Sequence, residues 1–61
     1  MNQREALTMA IAYIGNRDEF SEELGITVQA LGQWVNHGLP PGRALEIHEL
    51  TKVNLKSLLG E

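Results

Sequence analysis

The chain has no cysteine among its 61 residues. This absence excludes disulfide bonds and thiolate zinc sites as sources of stability, and it removes any indication of redox compartment. A domain of this length buries only about 60% of the surface that its unfolded chain exposes, so its core is small. The length predicts one domain over residues 1–61, stabilised by apolar packing within the chain or shared with a second subunit.

Aromatic residues are scarce, with one Phe, one Trp and one Tyr, although 43% of all residues are hydrophobic. The core should therefore consist mainly of aliphatic side chains. The longest uninterrupted apolar run, at positions 9–14, is six residues long, against the roughly 20 that span a bilayer. No charged-then-apolar signal segment opens the sequence, so we expect no membrane partner and a cytoplasmic location.

Positive charge is also scarce: five Lys and Arg residues stand against eight Asp and Glu residues, for a net charge of −3. An acidic total argues against a nucleic-acid partner, because backbone phosphates attract basic domains. The acidic residues are clustered, however, and the stretch from Leu24 to Leu45 contains no carboxylate. A surface built from this carboxylate-free stretch would not repel phosphates.

No segment alternates polar and apolar residues for long enough to predict a strand, and the apolar residues recur at helical spacing instead. We therefore predict an all-α fold, a compact five-helix domain. Asn16 with Glu19 three positions later is typical of a capping box, Thr27 is a good N-cap, and Gly15 predicts a left-handed helix stop. Pro41 suits the first turn of a helix. The predicted helices cover residues 4–14, 17–24, 28–37, 41–52 and 55–59.

The apolar positions of these helices predict the buried side chains. Those of the first, third and fourth helices are Leu7, Ala10, Ile11, Ile14, Leu31, Trp34, Val35, Ala44, Leu45, Ile47 and Leu50, with Val28 half covered. The last helix leaves two alternatives open. Leu55, Leu58 and Leu59 either close the core beneath the first helix or form a two-fold interface, and we favour a contribution to self-association.

Residues 17–34 have the pattern of a helix-turn-helix. This motif needs a small residue in its first helix, glycine in the turn and apolar residues at fixed offsets. Ser21 is the small residue and Gly25 follows four positions later. The apolar positions are Phe20, Leu24, Ile26, Leu31 and Trp34. Alanine is commoner where Ser21 stands, and a β-branched aliphatic residue is commoner where Leu31 and Trp34 stand, but neither departure breaks the packing.

The region 18–51 resembles the short, single-domain Cro-type repressors of phages and the related Cro-like antitoxins of prophages. The resemblance consists of LGIT-x-x-A-L-x-x-W, then G-L-P-P-G-R-A, then a helix of the form L-E-I-H-E-L-T. It implies a lambda-repressor-like fold and a single DNA-binding domain. It also implies a double-stranded DNA operator as partner, a homodimer on that DNA, repression of a neighbouring promoter, and a location in a bacterial host or a phage-infected cell.

The chemistry of the second helix of the motif supports DNA binding independently. Such a helix lies in the major groove with its N-terminal residues at the base edges. Gln and Asn amides can pair with adenine, and Thr or Val methyl groups can contact the thymine methyl. The residues predicted to contact bases are Thr27, Val28, Gln29, Gln33 and Asn36. The alternative is that the polar residues among them form an ordinary solvated helix face.

Arg17 and Arg43 flank this face and are the predicted phosphate contacts. Arg43 has an alternative role, because it could instead cap a helix or pair with Glu46 or Glu49. The small number of cations predicts weak non-specific DNA binding and a shallow dependence of affinity on salt.

Catalytic and metal-binding residues are not apparent. The two histidines, His37 and His48, are eleven positions apart on different predicted helices, and neither Ser21 nor Ser57 is matched with a His and an Asp. We therefore expect no catalytic residues, metal, cofactor or small-molecule ligand, and no enzymatic activity. Two rivals to operator binding remain: a protein-interaction module whose acidic second helix binds a basic partner, and a helical scaffold that does not enter the groove.

Overall fold

The computed structural model describes residues 2–60, and over that range the chain is helical with no strand. The prediction of an all-α, five-helix domain is confirmed. The helices are α1 (Gln3–Ile14), α2 (Arg17–Leu24), α3 (Val28–His37), α4 (Pro41–Thr51) and α5 (Leu55–Leu58). None of these helices has both the length and the hydrophobicity that crossing a bilayer requires.

Side chains at the helix starts account for the helix boundaries. Asn16, Thr27 and Asn54 each accept a hydrogen bond from the backbone amide three positions later, as their sequence positions predicted. The reciprocal capping box predicted at Asn16 and Glu19 is half formed, because over residues 2–60 only the bond from the Glu19 amide to the Asn16 side chain is present. The complete box lies at Asn2 and Glu5, at the start of α1. Gly15 ends α1 as expected, but its φ of 148° and ψ of −75° lie outside the left-handed helical region that we predicted.

The core lies between α1, α2 and α4 and is closed by single residues of α3 and α5. Its fully buried large side chains are Leu7, Phe20, Leu31, Ile47 and Leu58. Phe20 is the one aromatic residue among them, in line with the aliphatic core that composition predicts. Trp34 and Val35 are half-buried and pack against this cluster.

The buried side of α4 differs from the prediction. Leu45 and Leu50, both expected in the core, are 51% and 38% exposed. Ala44 and Ile47 are buried as predicted, and Thr51 is buried with them, at the spacing of three and four residues that aligns side chains on one helix face. Burial of Thr51 is possible because its hydroxyl donates to the Ile47 carbonyl at 2.8 Å and accepts from the Val53 amide at 3.3 Å.

The sequence left open whether the C-terminal leucines close the core or form a two-fold interface, and the structure decides this for Leu58. Leu58 is completely buried and α5 packs on α1, so this residue closes the core beneath the first helix. Leu55 and Leu59 are half-buried at the edge of the same cluster. Gln3 fixes this arrangement, because its side chain donates to the Leu58 carbonyl at 2.8 Å and accepts from the Leu39 amide at 3.3 Å.

The two buried hydroxyl groups should have opposite effects on stability when they are removed. The Ser21 hydroxyl is buried without a hydrogen-bond partner among residues 2–60, whereas that of Thr51 makes two hydrogen bonds. We expect Ser21→Ala to raise the free energy of unfolding by about 1 kcal/mol and Thr51→Val to lower it by about 1 kcal/mol. Thermal or urea denaturation followed by circular dichroism measures both changes. Destabilisation by Ser21→Ala would contradict the assignment of an unsatisfied hydroxyl.

Candidate nucleic-acid interface

The turn between α2 and α3 is built by local hydrogen bonds. Gly25 lies in the left-handed region at φ 69°, ψ 33°, a conformation that a residue with a Cβ adopts only at a cost. The Gly25 amide donates to the Glu22 carbonyl at 3.1 Å and the Ile26 amide donates to the Ser21 carbonyl at 2.9 Å. This pair of bonds is the Schellman arrangement that ends a helix. Thr27 then caps α3 two positions later, and α3 begins at Val28, so the two helices are joined by a minimal turn.

The exposed side of α3 presents three of the predicted base contacts together. Gln29, Gln33 and Asn36 are all exposed, and their spacing places them on one face of the helix. Leu31 is completely buried on the opposite side, against α2 and the core. Gly32 is half-buried at the edge of this face, three positions after Gln29 and four before Asn36. We call Gln29, Gly32, Gln33 and Asn36 the outer face of α3.

Thr27 and Val28 lie at the N-terminal end of this helix. The Thr27 hydroxyl accepts from the Ala30 amide at 3.0 Å, which uses one of its two acceptor sites, and the methyl group is left for apolar contact. Val28 is 44% exposed, which agrees with the half-covered position predicted for it. The five predicted base contacts are therefore accessible along one helix.

The two predicted phosphate contacts differ in their surroundings. Arg17 is the exposed first residue of α2. The Arg43 guanidinium, by contrast, donates to the Leu24 carbonyl at 3.3 Å and to the Glu46 carboxylate at 3.0 Å, and it lies 5.8 Å from the centre of the Trp34 ring. The pairing with Glu46 is the alternative role that the sequence left open. Arg43 thus joins the end of α2 to α4, with 38% of its side chain still exposed.

Helix α3 contains no acidic residue, and the neighbouring helix α2 carries four. Asp18 and Glu19 lie in the first turn of α2, where the helix dipole favours acidic side chains. Glu22 and Glu23 are exposed further along α2 and line a hollow with Glu19 and Ile14. The carboxylate-free stretch supplies the whole of α3, so the polar side chains that α3 exposes are amides and the His37 imidazole.

The histidines lie apart from each other in the fold. His37 is in the last turn of α3, and His48 is within α4, where its Nδ1 lies 2.7 Å from the Val53 carbonyl. No three His, Cys, Asp or Glu residues among positions 2–60 come close enough to hold a metal ion together.

Two short helices joined by a glycine turn, the second with amides exposed along one face, form a helix-turn-helix-like arrangement. Residues 7–58 match the family model described as "Bacterial toxin YdaS". The chain therefore belongs to the YdaS family, whose members are small, prophage-encoded, helix-turn-helix-like proteins. The family agrees with the predicted resemblance to Cro-like prophage proteins and places the chain among small regulatory or toxin–antitoxin-like prophage proteins. No curated protein and no solved structure matches it.

Proposed function

We propose that this protein is a sequence-specific DNA-binding regulator that occupies an operator as a homodimer, with α3 in the major groove, and represses transcription by occlusion. The observation that carries the proposal is the outer face of α3, where Gln29, Gln33 and Asn36 are exposed side by side on the second helix of the motif. Amides are the side chains that pair with adenine through two hydrogen bonds, whereas a merely solvated helix face usually carries Lys and Glu.

The distribution of charge supports the same proposal. A protein with a net charge of −3 can approach DNA only if its carboxylates point elsewhere, and α3 carries none. Arg17 at the first position of α2 is available to a phosphate beside the groove. With so few cations, affinity must depend strongly on base contacts and weakly on salt.

The test is selection from a randomised duplex library by the purified protein at two salt concentrations, with the enriched sequences determined. We expect enrichment of a palindrome, whose half-site spacing reports the geometry of the dimer. We also expect non-specific binding to be weak at both salt concentrations. Failure to enrich any sequence at low salt would contradict operator binding.

A second candidate function is protein interaction within a toxin–antitoxin-like pair. The family description names a toxin, and α2 exposes Asp18, Glu19, Glu22 and Glu23 close together, which suits a basic partner protein. This candidate predicts that charge-neutralising substitutions on α2 abolish partner binding, whereas the operator proposal predicts that they leave base preference unchanged.

A further inference from the structure

Gly32 is the least expected residue of α3 on energetic grounds. It lies within the helix, where glycine is less favourable than alanine because it loses more backbone freedom on folding. Its φ is not in the positive region, so its backbone conformation does not require glycine. A Cβ built at this position meets no atom of residues 2–60 within 4 Å, so packing does not require glycine either. Nothing in that described part of the chain explains the missing side chain.

The position of Gly32 indicates what the missing side chain leaves room for. Its neighbours on the helix surface are Gln29 and Asn36 on the outer side and Val28 and Val35 on the other side. Gly32 is therefore a gap at the edge of the surface that we propose enters the major groove. A gap at this point lets the backbone of α3 approach one base pair closely.

We propose that Gly32 is a specificity-determining residue whose gap receives the 5-methyl group of a thymine. This inference rests on the proposed function. Gly32 presents only its Cα hydrogens to the groove, so a base nitrogen or oxygen facing it would be buried without a partner. Thymine is the base whose major-groove edge carries a methyl group, which can be buried against a Cα without losing a hydrogen bond.

The experiment adds a methyl group to the protein and removes one from the DNA. Wild-type protein and Gly32→Ala are titrated against the selected operator and against duplexes in which each thymine in turn is replaced by deoxyuridine. We expect one thymine at which deoxyuridine weakens wild-type binding roughly fourfold, the value of one buried methyl group. We expect Gly32→Ala to bind the thymine operator roughly tenfold or more weakly, and to recover affinity when that same thymine is replaced.

The melting temperature distinguishes a role of Gly32 in base recognition from a role in stabilising the fold. Gly32→Ala should raise the melting temperature by about 4 °C or more, because alanine is the better helix former and the space is open. Gly42→Ala is the matched control, since Gly42 is a second helical glycine with no atom within 4 Å of an added Cβ, and it lies on α4. It should keep wild-type affinity for the operator and its base preference.

Each opposing result has a distinct meaning. Wild-type affinity in Gly32→Ala, a lowered melting temperature, or the absence of any thymine with the expected response would each overturn the role of Gly32 while leaving operator binding in place. Failure of the wild-type protein to enrich any operator would instead overturn the proposed function, and the role of Gly32 with it.

Discussion

Phe20→Ala should strongly destabilise the protein and lower its melting temperature. Phe20 is completely buried on α2 at the centre of the core, and truncating such a side chain typically lowers the free energy of unfolding by about 3–5 kcal/mol. A domain of this length has a total stability of roughly 3–9 kcal/mol. The loss should therefore lower the melting temperature by roughly 15 °C or more, as measured by circular dichroism.

Tyr13→Ala is the matched control for this experiment. Tyr13 is an aromatic residue on α1 that is 67% exposed, so its removal should change the free energy of unfolding by less than about 0.5 kcal/mol. Similar melting temperatures for the two variants would show that Phe20 does not hold the core together. Loss of structure in Phe20→Ala should also expose Trp34, the only tryptophan, and shift its fluorescence emission to longer wavelength.

Gln29→Ala should weaken operator binding by about 1–3 kcal/mol and relax the base preference at one step of the half-site. The side chain is exposed on the outer face of α3, so its removal should leave the stability of the fold almost unchanged. Repeating the library selection with the variant measures the base preference, and titration of the selected operator measures the affinity. Gln33→Ala should relax a different step, because Gln33 lies one helical turn further along α3.

The control for this prediction is the double variant Glu22→Gln with Glu23→Gln. Both residues are exposed on α2, away from the outer face of α3, so neutralising them should leave the selected sequence the same. An unchanged base preference in Gln29→Ala would refute the assignment of this residue to a base. Loss of a protein partner in the double variant, with no effect on DNA, would favour the interaction module instead.

The helices, their order and the helix-turn-helix were predictable because short-range interactions specify them. The caps at Asn16, Thr27 and Asn54 each join residues three positions apart, and the turn at Gly25 closes through bonds that span five positions or fewer. The exposure of the outer face of α3 follows from the same periodicity that buries Leu31. The sequence alone therefore determined which helix presents the amides and where the chain turns before it.

Contacts between residues far apart in sequence decided which side chains of α4 are buried and which partners Gln3 and Arg43 bind. The apolar pattern of α4 predicted burial of Leu45 and Leu50 together with Ile47, but packing against α1 and α5 buries Ile47 and leaves the two leucines exposed. The Gln3 side chain forms hydrogen bonds with Leu39 and Leu58, which are 36 and 55 positions away. No local sequence pattern predicts these two bonds. Arg43 bonds to Leu24, 19 positions earlier, because tertiary packing brings the end of α2 beside α4. Side chains with several possible partners acquire one only when the helices have docked.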